Sequence, residues 1–423
     1  MRSPRIASST ASMDFLLPIS KLTIIFGYTT IPLSAIIGIM SSFSVFIYAI
    51  FFMPEKKVYS QTIMFSTMST LASAKLYLPE SDGFDSAFQN IIHSVRQVED
   101  DLNRFDPESE LSKLNQTAAD KPFVCSDMLW QILCRAREIH ALTDGAFDIT
   151  IAPLMQVWDY NKKRDQLPDP EEIRKALELV GLDKVQFNDK DHSVFFTVKG
   201  MSLDLGGIAK GYALDHAAEI LKKEKGIQRG YLEIGGNALA LPEPPPPRPD
   251  PKKDSIDLQD ITLKLGLKKT KYSAGIRNPF SSDPGKICGI VLLSNEAVST
   301  SGSYERFLTI RGKKYCHIIN PKTGYPVENM LSVTVLTPKG MDSDALSTAI
   351  FVGGPDLALK LSETMPELKV LIFDKNPEDN NAVRSFVIGE GFDFSTPEVP
   401  DTAQKESVIK IKKSNPEDQA VIH

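Results

Sequence analysis

The chain has 423 residues, of which 42% are hydrophobic and 24% are charged, a composition typical of a globular protein that can bury a large core. Its net charge of −6 argues against a nucleic-acid partner, because phosphate binding needs clustered Lys and Arg. The four cysteines show no CxxC spacing, which favours neither a zinc site nor a dense disulfide framework.

The first 59 residues differ from the rest of the chain. Residues 34–53 form an uncharged, mostly apolar run of the length that crosses a bilayer. We interpret residues 1–59 as an uncleaved membrane anchor, with a cleaved signal peptide as the alternative. A buried core helix is disfavoured because nothing amphipathic surrounds the run. The basic residues on its two sides are too evenly placed to set an orientation.

Helices and strands mix after residue 60 without strict alternation, which favours an α+β fold of mixed sheets with packed helices over a doubly wound sheet. Residues 65–79 read as an early strand or pair of strands. Helical spacing of apolar residues predicts amphipathic helices within 85–105 and 127–143. Residues 184–198 predict a hairpin, and residues 201–226 predict a strand, a glycine turn and a helix.

The second half of the chain continues the mixed pattern. Residues 230–241 predict a buried strand that ends in Gly-Gly, and a proline-rich insertion follows within 241–270. Residues 343–355 predict a helix that stops at Gly-Gly-Pro, with late strands after it. Residues 396–423 are charged and poor in aromatics, which predicts a disordered tail. The sequence therefore predicts one folded domain at residues 60–395.

A glycine turn before a predicted helix is the first candidate ligand site. Gly206 and Gly207 precede the helix, where free N–H groups attract anions, and Lys210 adds a positive charge. The spacing is not that of a P-loop. The alternative is a tight turn between strand and helix with Lys210 in solvent. Asp204 would then be a helix cap rather than an acceptor for a ligand hydroxyl.

Two oxygen-bearing residues one helical turn apart form a candidate metal site. Asp342 or Ser343 can cap a helix that begins near Asp344, which puts Asp344 and Thr348 on one face. A carboxylate and a hydroxyl suit Mg²⁺, which takes few protein oxygens together with phosphate and water. The alternative is that Asp344 offsets the helix dipole and Thr348 bonds back to the helix.

Two further segments could line a ligand. Phe147 and Asp148 put an aromatic ring beside an acid, which suits a planar ligand but equally a core Phe beside a capping Asp. Thr300, Ser301 and Gly302 form a hydroxyl-bearing turn that could line a ligand or could serve only the fold. The adjacent Tyr-Glu-Arg suggests a local ion pair.

His317 differs from the other histidines in its surroundings. It opens the segment HIINPKTGYP, in which a short apolar run is followed by the turn signals Asn-Pro and Gly-Tyr-Pro. The pattern predicts that His317 lies at the end of a strand beside a tight loop. Loops on a rigid scaffold commonly carry chemistry, so His317 is the candidate general base.

Six segments occur in the order of the ApbE family, the FAD:protein FMN transferases, which the chain resembles. They are FDITIAPLMQVW, DLGGIAKGYALD, EIGGN, STSGSYERF, HIINPKTGYPV and DALSTAIFVGG. Upstream, Met-Ser-Thr at 68–70 resembles that family's Met-Gly-Thr, and residues 102–115 resemble its segment with an aromatic residue, Ser and Asn. The resemblance spans residues 60–395.

The resemblance implies a T-fold-like flavin transferase domain that uses FAD and Mg²⁺. The FMN moiety of FAD would pass to a threonine hydroxyl of a target protein, and AMP would leave. Within that reaction, His317 would be the general base. The Mg²⁺ ligands would be the Gly207 carbonyl, Asp344 and Thr348. The residues that contact FAD would be Met68, Phe105, Ala146, Phe147, Asp148, Asp204, Lys210 and Ile318.

Several positions depart from that family's pattern. Asn237 replaces an Asp after Gly-Gly, Ser69 replaces the Gly of Met-Gly-Thr, Phe105 replaces a Tyr, and Asn320 replaces the Asp of His-Ile-Ile-Asp-Pro. The proline-rich insertion is also not part of the usual pattern. The residues of the implied metal pair and His317 are kept.

The resemblance also implies partners and a location. The target would be a membrane electron-transport subunit, and the enzyme would be anchored in the cell inner membrane with its catalytic domain on the periplasmic side. Two other functions stay open: an Mg²⁺-dependent FAD pyrophosphatase that yields FMN and AMP, and a non-catalytic flavin-binding protein. Phe105 favours transfer over hydrolysis if its ring excludes water. His317, Asp344 and Thr348 argue against a mere binder.

Overall fold

A computed structural model describes residues 23–26, 29–32, 58–243, 271–376 except 282 and 284, 382–395 and 407–411. The chain divides into two compact units, residues 1–57 with 249–269 and residues 58–248 with 270–423. In the first unit the described residues form an antiparallel hairpin of β1, Thr23–Phe26, and β2, Thr29–Pro32.

The predicted anchor and insertion lie largely outside the described residues. The apolar run 34–53 is not described, nor are residues 244–270 of the insertion. Among the residues that are described, no helix has both the length and the apolar character needed to cross a membrane. The predicted anchor, with its alternative of a cleaved signal, therefore stays a prediction.

The second unit is built on a nine-stranded sheet. Its order is β19-β17-β16-β15-β12-β9-β8-β4-β3, antiparallel except for the parallel pair β17–β19. The strands of this sheet, in chain order, are β3 Tyr59–Thr67, β4 Thr70–Leu78, β8 Gly230–Ile234, β9 Asn237–Ala240, β12 Ala297–Gly302, β15 Met330–Thr337, β16 Lys369–Lys375, β17 Val383–Ile388 and β19 Ser407–Ile411.

Smaller sheets and seven helices complete the part of this unit that is described. The three small sheets contain β5 Phe123–Val124, β6 Val185–Asn188 and β7 Ser193–Phe196; β10 Tyr272–Arg277, β11 Ile287–Leu293 and β18 Phe392–Phe394; and the hairpin of β13 Phe307–Ile310 with β14 Lys313–Cys316. The helices are α1 Phe84–Leu102, α2 Glu110–Thr117, α3 Asp127–Leu142, α4 Ala152–Trp158, α5 Pro170–Leu177, α6 Ala209–Lys225 and α7 Gly340–Thr364.

Central strands of the large sheet, such as β9 and β15, are buried on both faces. One face packs on helices, where residues such as Leu232 and Val333 meet Val95 of α1 and Ala217 of α6. The other face packs on the β10–β11–β18 sheet. A third cluster joins α4 and α5 to the β13–β14 hairpin through residues that include Trp158. Sheet and helices in packed layers confirm the predicted α+β fold.

Most predicted elements are confirmed, and four are corrected. Residues 201–205 form no strand; instead the Asn115 side chain holds them, donating from Nδ2 to the Leu203 carbonyl and accepting the Leu203 N–H at Oδ1. The apolar segment 230–241 is a hairpin rather than one strand, because Gly235 and Gly236 turn at φ of 51° and 84°.

The helix at residue 340 begins earlier than predicted and breaks where predicted. Gly340 starts α7, and the carboxylate of Asp215 on α6 accepts the N–H groups of Gly340 and Met341 at 2.7 and 2.9 Å. Asp342 and Ser343 therefore lie inside the helix rather than capping it. Gly354, at φ 72° and ψ −167°, breaks the helix at the predicted stop, and a second helical segment follows as far as Thr364.

The predicted disordered tail contains a strand. Ser407–Ile411 pairs in parallel with β17, so the prediction of disorder over 396–423 is wrong for these five residues. These residues are rich in β-branched side chains, which suits the edge of a sheet. The prediction of disorder rested on the charge of the whole tail and overlooked this short segment.

Candidate active site

A cavity of about 520 Å³ lies where the β3–β4 turn, the start of α6, the first half of α7 and the segment after β14 meet. All twelve residues predicted for the site line this cavity, although they come from six separate stretches of the chain. They are Met68, Phe105, Ala146, Phe147, Asp148, Asp204, Gly207, Lys210, His317, Ile318, Asp344 and Thr348.

His317 is held in one orientation at the cavity wall. Its Nδ1 lies 3.1 Å from the carbonyl oxygen of Arg306. A carbonyl only accepts, so Nδ1 carries the proton and Nε2 keeps its lone pair. Burial lowers the pKa of His317 to about 4, and the charges of Lys210 and Arg306 act in the same direction. The imidazole is therefore a neutral base at physiological pH.

The loop after His317 is fixed by two aromatic residues at the end of α4. Trp158 donates from Nε1 to the carbonyl of Gly324 at 2.9 Å, and the Tyr160 hydroxyl donates to the carbonyl of Cys316 at 2.6 Å. Gly324 turns at φ 77°, as the turn signals predicted. The predicted placement of His317 directly after a strand and beside a tight loop is thus confirmed.

Asp344 is a buried carboxylate between α6 and α7. It is 4% exposed, and its Oδ2 accepts the N–H of Gly211 at 3.0 Å. Its Oδ1 lies 3.5 Å from Nζ of Lys210, which also donates to the Gly206 carbonyl at 3.1 Å. Lys210 is therefore not free in solvent, and the alternative of a solvated Lys210 is wrong.

Thr348 and Gly207 approach each other closely beside Asp344. A Cβ added to Gly207 would lie 3.3 Å from Thr348 Oγ1 and 3.3 Å from the Phe147 ring. Thr348 Oγ1 lies 3.4 Å from the Asp344 carbonyl and 3.4 Å from Ser301 Oγ, which are long and weak contacts. The hydroxyl is thus largely available to a ligand.

The β3–β4 turn enters the cavity in a strained conformation. Met68 and Ser69 both have positive φ, 46° and 59°, and neither is glycine. Glu99 of α1 holds the turn by accepting the Met68 N–H at 2.7 Å and the Thr67 hydroxyl at 2.8 Å. Ser69 therefore adopts the conformation for which a glycine is better suited.

Asp204 connects the glycine turn to the segment after α1. Its Oδ1 accepts the Gly206 N–H at 2.7 Å, and its Oδ2 pairs with Nε of Arg104 at 2.6 Å. This contact holds the turn and does not cap α6, which begins at Ala209 without a side-chain cap. The Arg104 guanidinium lies 4.2 Å from the centre of the Phe105 ring. Phe105 is 65% exposed, so its ring does not shut water out of the cavity in this conformation.

Asp148 is buried behind the cavity. Its Oδ1 accepts the N–H and hydroxyl of Thr150 at 2.8 and 2.6 Å, and its Oδ2 lies 3.3 Å from Nε2 of His140. Phe147 is 4% exposed within the main core. Phe147 is therefore a core residue and Asp148 a capping residue, as the structural alternative predicted, and both also line the cavity.

Sequence reasoning missed several polar residues of the cavity, among them Glu99, Arg104 and Asn237. Glu99 lies on α1 and Arg104 follows it. The apolar spacing of this helix indicated only its buried face. Asn237 was noted only as a departure from a family pattern. The predicted local ion pair of residues 304–306 is also wrong, since Glu305 pairs with Arg277 and Arg306 with Asn161.

The donor set around Asp344 suits a hard cation rather than a transition metal. In the described part of the chain, no group of three or more His, Cys, Asp or Glu side chains could hold a metal. One buried carboxylate, one hydroxyl and a nearby backbone form the kind of sparse oxygen set that Mg²⁺ uses when substrate phosphate and water supply the rest. The residues therefore fit Mg²⁺.

Comparison with known proteins agrees with this geometry. The family model described as the ApbE family matches residues 68–372. A FAD:protein FMN transferase of Klebsiella pneumoniae is 27% identical over 325 residues, which is 77% of this chain and 92% of the relative. A FAD:protein FMN transferase of Haemophilus influenzae is 29% identical over 275 residues, 64% of this chain and 73% of the relative.

Solved structures show the same fold. The crystal structure of the ApbE protein from Thermotoga maritima has a TM-score of 0.62 and 27% identity, and the match covers 75% of this chain and 94% of that one. The flavin transferase ApbE from Vibrio cholerae, at 24% identity, has a TM-score of 0.64 over 78% of this chain and 97% of that one. Because the family model spans well over half of the sequence and the fold agrees, the chain belongs to the ApbE family.

Proposed function

We propose that this protein is an FAD:protein FMN transferase, which moves the FMN moiety of FAD to a threonine hydroxyl of a target protein and releases AMP. One observation carries the proposal: a neutral imidazole with a free Nε2 shares a cavity with a buried carboxylate and a hydroxyl one helical turn apart. Membership of the family and the names of its relatives supply the substrate class.

The cavity suits a ligand of this size. Its volume of about 520 Å³ lies within the range of small-molecule sites. Apolar side chains such as Leu102 and Met155 line it together with the polar groups already described. A dinucleotide has both flat apolar rings and a charged centre, which matches such a lining.

The reaction needs a base and a way to neutralise phosphate charge. Nε2 of His317 would take the proton of the threonine hydroxyl as its oxygen attacks the FMN-side phosphorus of FAD. The new bond is threonine oxygen to phosphorus, and the bond that breaks joins this phosphorus to the bridging oxygen. That oxygen leaves with AMP, so FMN stays on the protein as a phosphoester.

Asp344, Thr348 and the Gly207 carbonyl would hold Mg²⁺ in this site. The ion, when bound, supplies positive charge against the diphosphate. Lys210 would add a second positive charge, since its ammonium is already directed toward Asp344 and the glycine turn. Asp204 would keep the turn in place through its bond to the Gly206 N–H.

Mass spectrometry of a target peptide tests the proposal. The full chain would be incubated with FAD, Mg²⁺ and a threonine peptide from a flavinylated protein, with the same peptide carrying alanine instead of threonine as the control. A mass gain of one FMN moiety on the threonine peptide, with AMP release, supports transfer. AMP and FMN without a gain would mean a pyrophosphatase, and no AMP at all would mean a flavin binder.

We further propose that the protein is anchored in the inner membrane and modifies a membrane electron-transport subunit on the periplasmic side. The support is the uncharged apolar run 34–53 together with the membership of the family. Fractionation of cells and protease treatment of spheroplasts test this proposal. A protein recovered in the soluble fraction, or one protected from protease in intact spheroplasts, would contradict it.

A further inference from the structure

Asn237 is a buried polar side chain of the cavity that the fold leaves unsatisfied. It is 2% exposed, and its Nδ2 has no hydrogen-bond partner within the described part of the chain. It also lines the cavity. A buried amide nitrogen without an acceptor costs free energy, and a ligand that brings an acceptor would remove this cost.

The position of Asn237 is rigid. It begins β9 in the interior of the large sheet, where it pairs with Ile234 on one side and Ser299 on the other. The Ser299 hydroxyl is already bonded to Ser343 at 2.8 Å, so this neighbour is satisfied. Two flanking strands thus present the amide to the cavity without a local partner.

The surroundings of Asn237 point to a neutral part of the ligand. Gly235, two residues before Asn237, donates its N–H to the Leu71 carbonyl and packs against Thr70, which places Asn237 near the β3–β4 turn. The charged side chain that holds this turn is Glu99, and its carboxylate would repel a phosphate. The positive charge that suits phosphate lies instead on Lys210, beside Asp344.

We propose that Asn237 is a recognition residue for the dinucleotide, donating a hydrogen bond from Nδ2 to a neutral acceptor atom of the ligand. The acceptor would be a ring nitrogen, a carbonyl oxygen or a hydroxyl oxygen on the flavin half or on the adenosine half. An amide suits this role because it carries a donor and an acceptor side by side, as heterocycle edges do. The identity of the ligand rests on the proposed function.

Binding titrations of the full chain test the role of Asn237. FAD, FMN and ADP would each be titrated, with Mg²⁺ present, into the wild type and into Asn237→Ala. The FAD dissociation constant should rise about tenfold in the variant, as expected for one lost hydrogen bond in a closed site. Only one of the FMN and ADP constants should rise with it, which identifies the half that Asn237 contacts.

Asn115→Ala is the matched control for stability. Both polar atoms of the Asn115 side chain are used, at 3.0 and 2.7 Å from the backbone of Leu203. Its loss should lower the melting temperature of the ligand-free protein by several degrees. Asn237→Ala should change that temperature by less than about 2 °C, because the Nδ2 makes no bond to lose.

Three results would overturn the inference while the proposed function stands. The first is an unchanged FAD affinity in Asn237→Ala, and the second is an equal loss of affinity for FMN and for ADP. The third is a variant that does not fold, or whose melting temperature falls as far as that of Asn115→Ala. The last would show that Asn237 supports the fold rather than the ligand. A wild type that does not bind FAD would refute both the proposed function and the inference.

Discussion

The Nδ1 of His317 donates to the carbonyl oxygen of Arg306, 3.1 Å away, and the same oxygen accepts the backbone N–H of His317 at 2.9 Å. Because one carbonyl receives both donors, the ring is fixed relative to the β13–β14 hairpin. Nε2 is therefore the nitrogen that can accept a proton from a substrate.

The pH dependence of transfer follows from this arrangement. Burial lowers the pKa of His317 to about 4, so the imidazole is neutral and able to accept a proton above that pH. We expect kcat/KM to be level between roughly pH 6 and 8 and to fall as the pH drops through about 4 to 5. AMP release measured across this range, with circular dichroism to exclude unfolding, checks the prediction.

The variant His317→Gln tests the role of His317 as a base separately from the binding of FAD. Glutamine cannot take the proton, so AMP release should fall by about 100-fold or more while FAD affinity changes little. For the wild type, an inflection of kcat/KM near pH 6.5, the ordinary pKa of histidine, would contradict the argument that burial lowers the pKa of His317.

Asp344→Asn tests the proposed metal site without breaking the contact between α6 and α7. The amide oxygen can still accept the Gly211 N–H, but the negative charge is lost. We expect the Mg²⁺ concentration for half-maximal activity to rise more than about tenfold and excess Mg²⁺ to restore part of the rate. AMP release at a series of Mg²⁺ concentrations is the measurement.

Asp342→Asn is the matched control for that experiment. Asp342 lies two residues earlier on α7 and pairs with Arg135 at 2.6 Å rather than lining the cavity. Its substitution should lower the melting temperature and leave the Mg²⁺ dependence as it is. A similar Mg²⁺ shift in both variants would mean that net charge, not coordination, sets the response.

Ser69→Gly should stabilise the protein. Ser69 has a φ of 59°, a left-handed conformation that glycine adopts without the clash of a Cβ. The relief of strain outweighs the greater freedom of glycine in the unfolded chain, so the free energy of unfolding should rise by about 0.5 kcal/mol. Urea unfolding of Ser69→Gly against Ser69→Ala measures this, and equal stabilities of the two variants would contradict the prediction.

The site was more predictable than the contacts that hold it. Asp344 and Thr348, or Gly207 and Lys210, lie within short segments whose spacing suggests a ligand site, and the resemblance to the ApbE family implies their roles. The pair of Arg104 with Asp204 joins residues 100 positions apart, and Asp215 binds the start of α7 from another helix. Such contacts depend on how helices pack, which local spacing does not reveal.

The errors in the predicted elements have the same origin. Strand β9 is buried on both faces and follows the apolar end of β8 after only two glycines, so the two strands were predicted as one. The start of α7 was placed too late because its capping carboxylate lies on α6 rather than in the preceding sequence.

The closest approach of α6 to α7 gives a last prediction. A Cβ on Gly211 would lie 2.1 Å from the Gly340 carbonyl oxygen and 2.8 Å from Asp344 Cβ, distances that the two backbones cannot accommodate. Gly211→Ala should therefore push the helices apart, lower the free energy of unfolding by about 3 kcal/mol or more, and abolish AMP release. Gly207→Ala is the comparison, because its Cβ would sit at a tight but tolerable 3.3 Å from Thr348 Oγ1. This variant should keep a melting temperature near that of the wild type and require more Mg²⁺. A wild-type melting temperature in Gly211→Ala would mean that the helices separate at little cost, and Asp344 would then not be held where the reaction needs it.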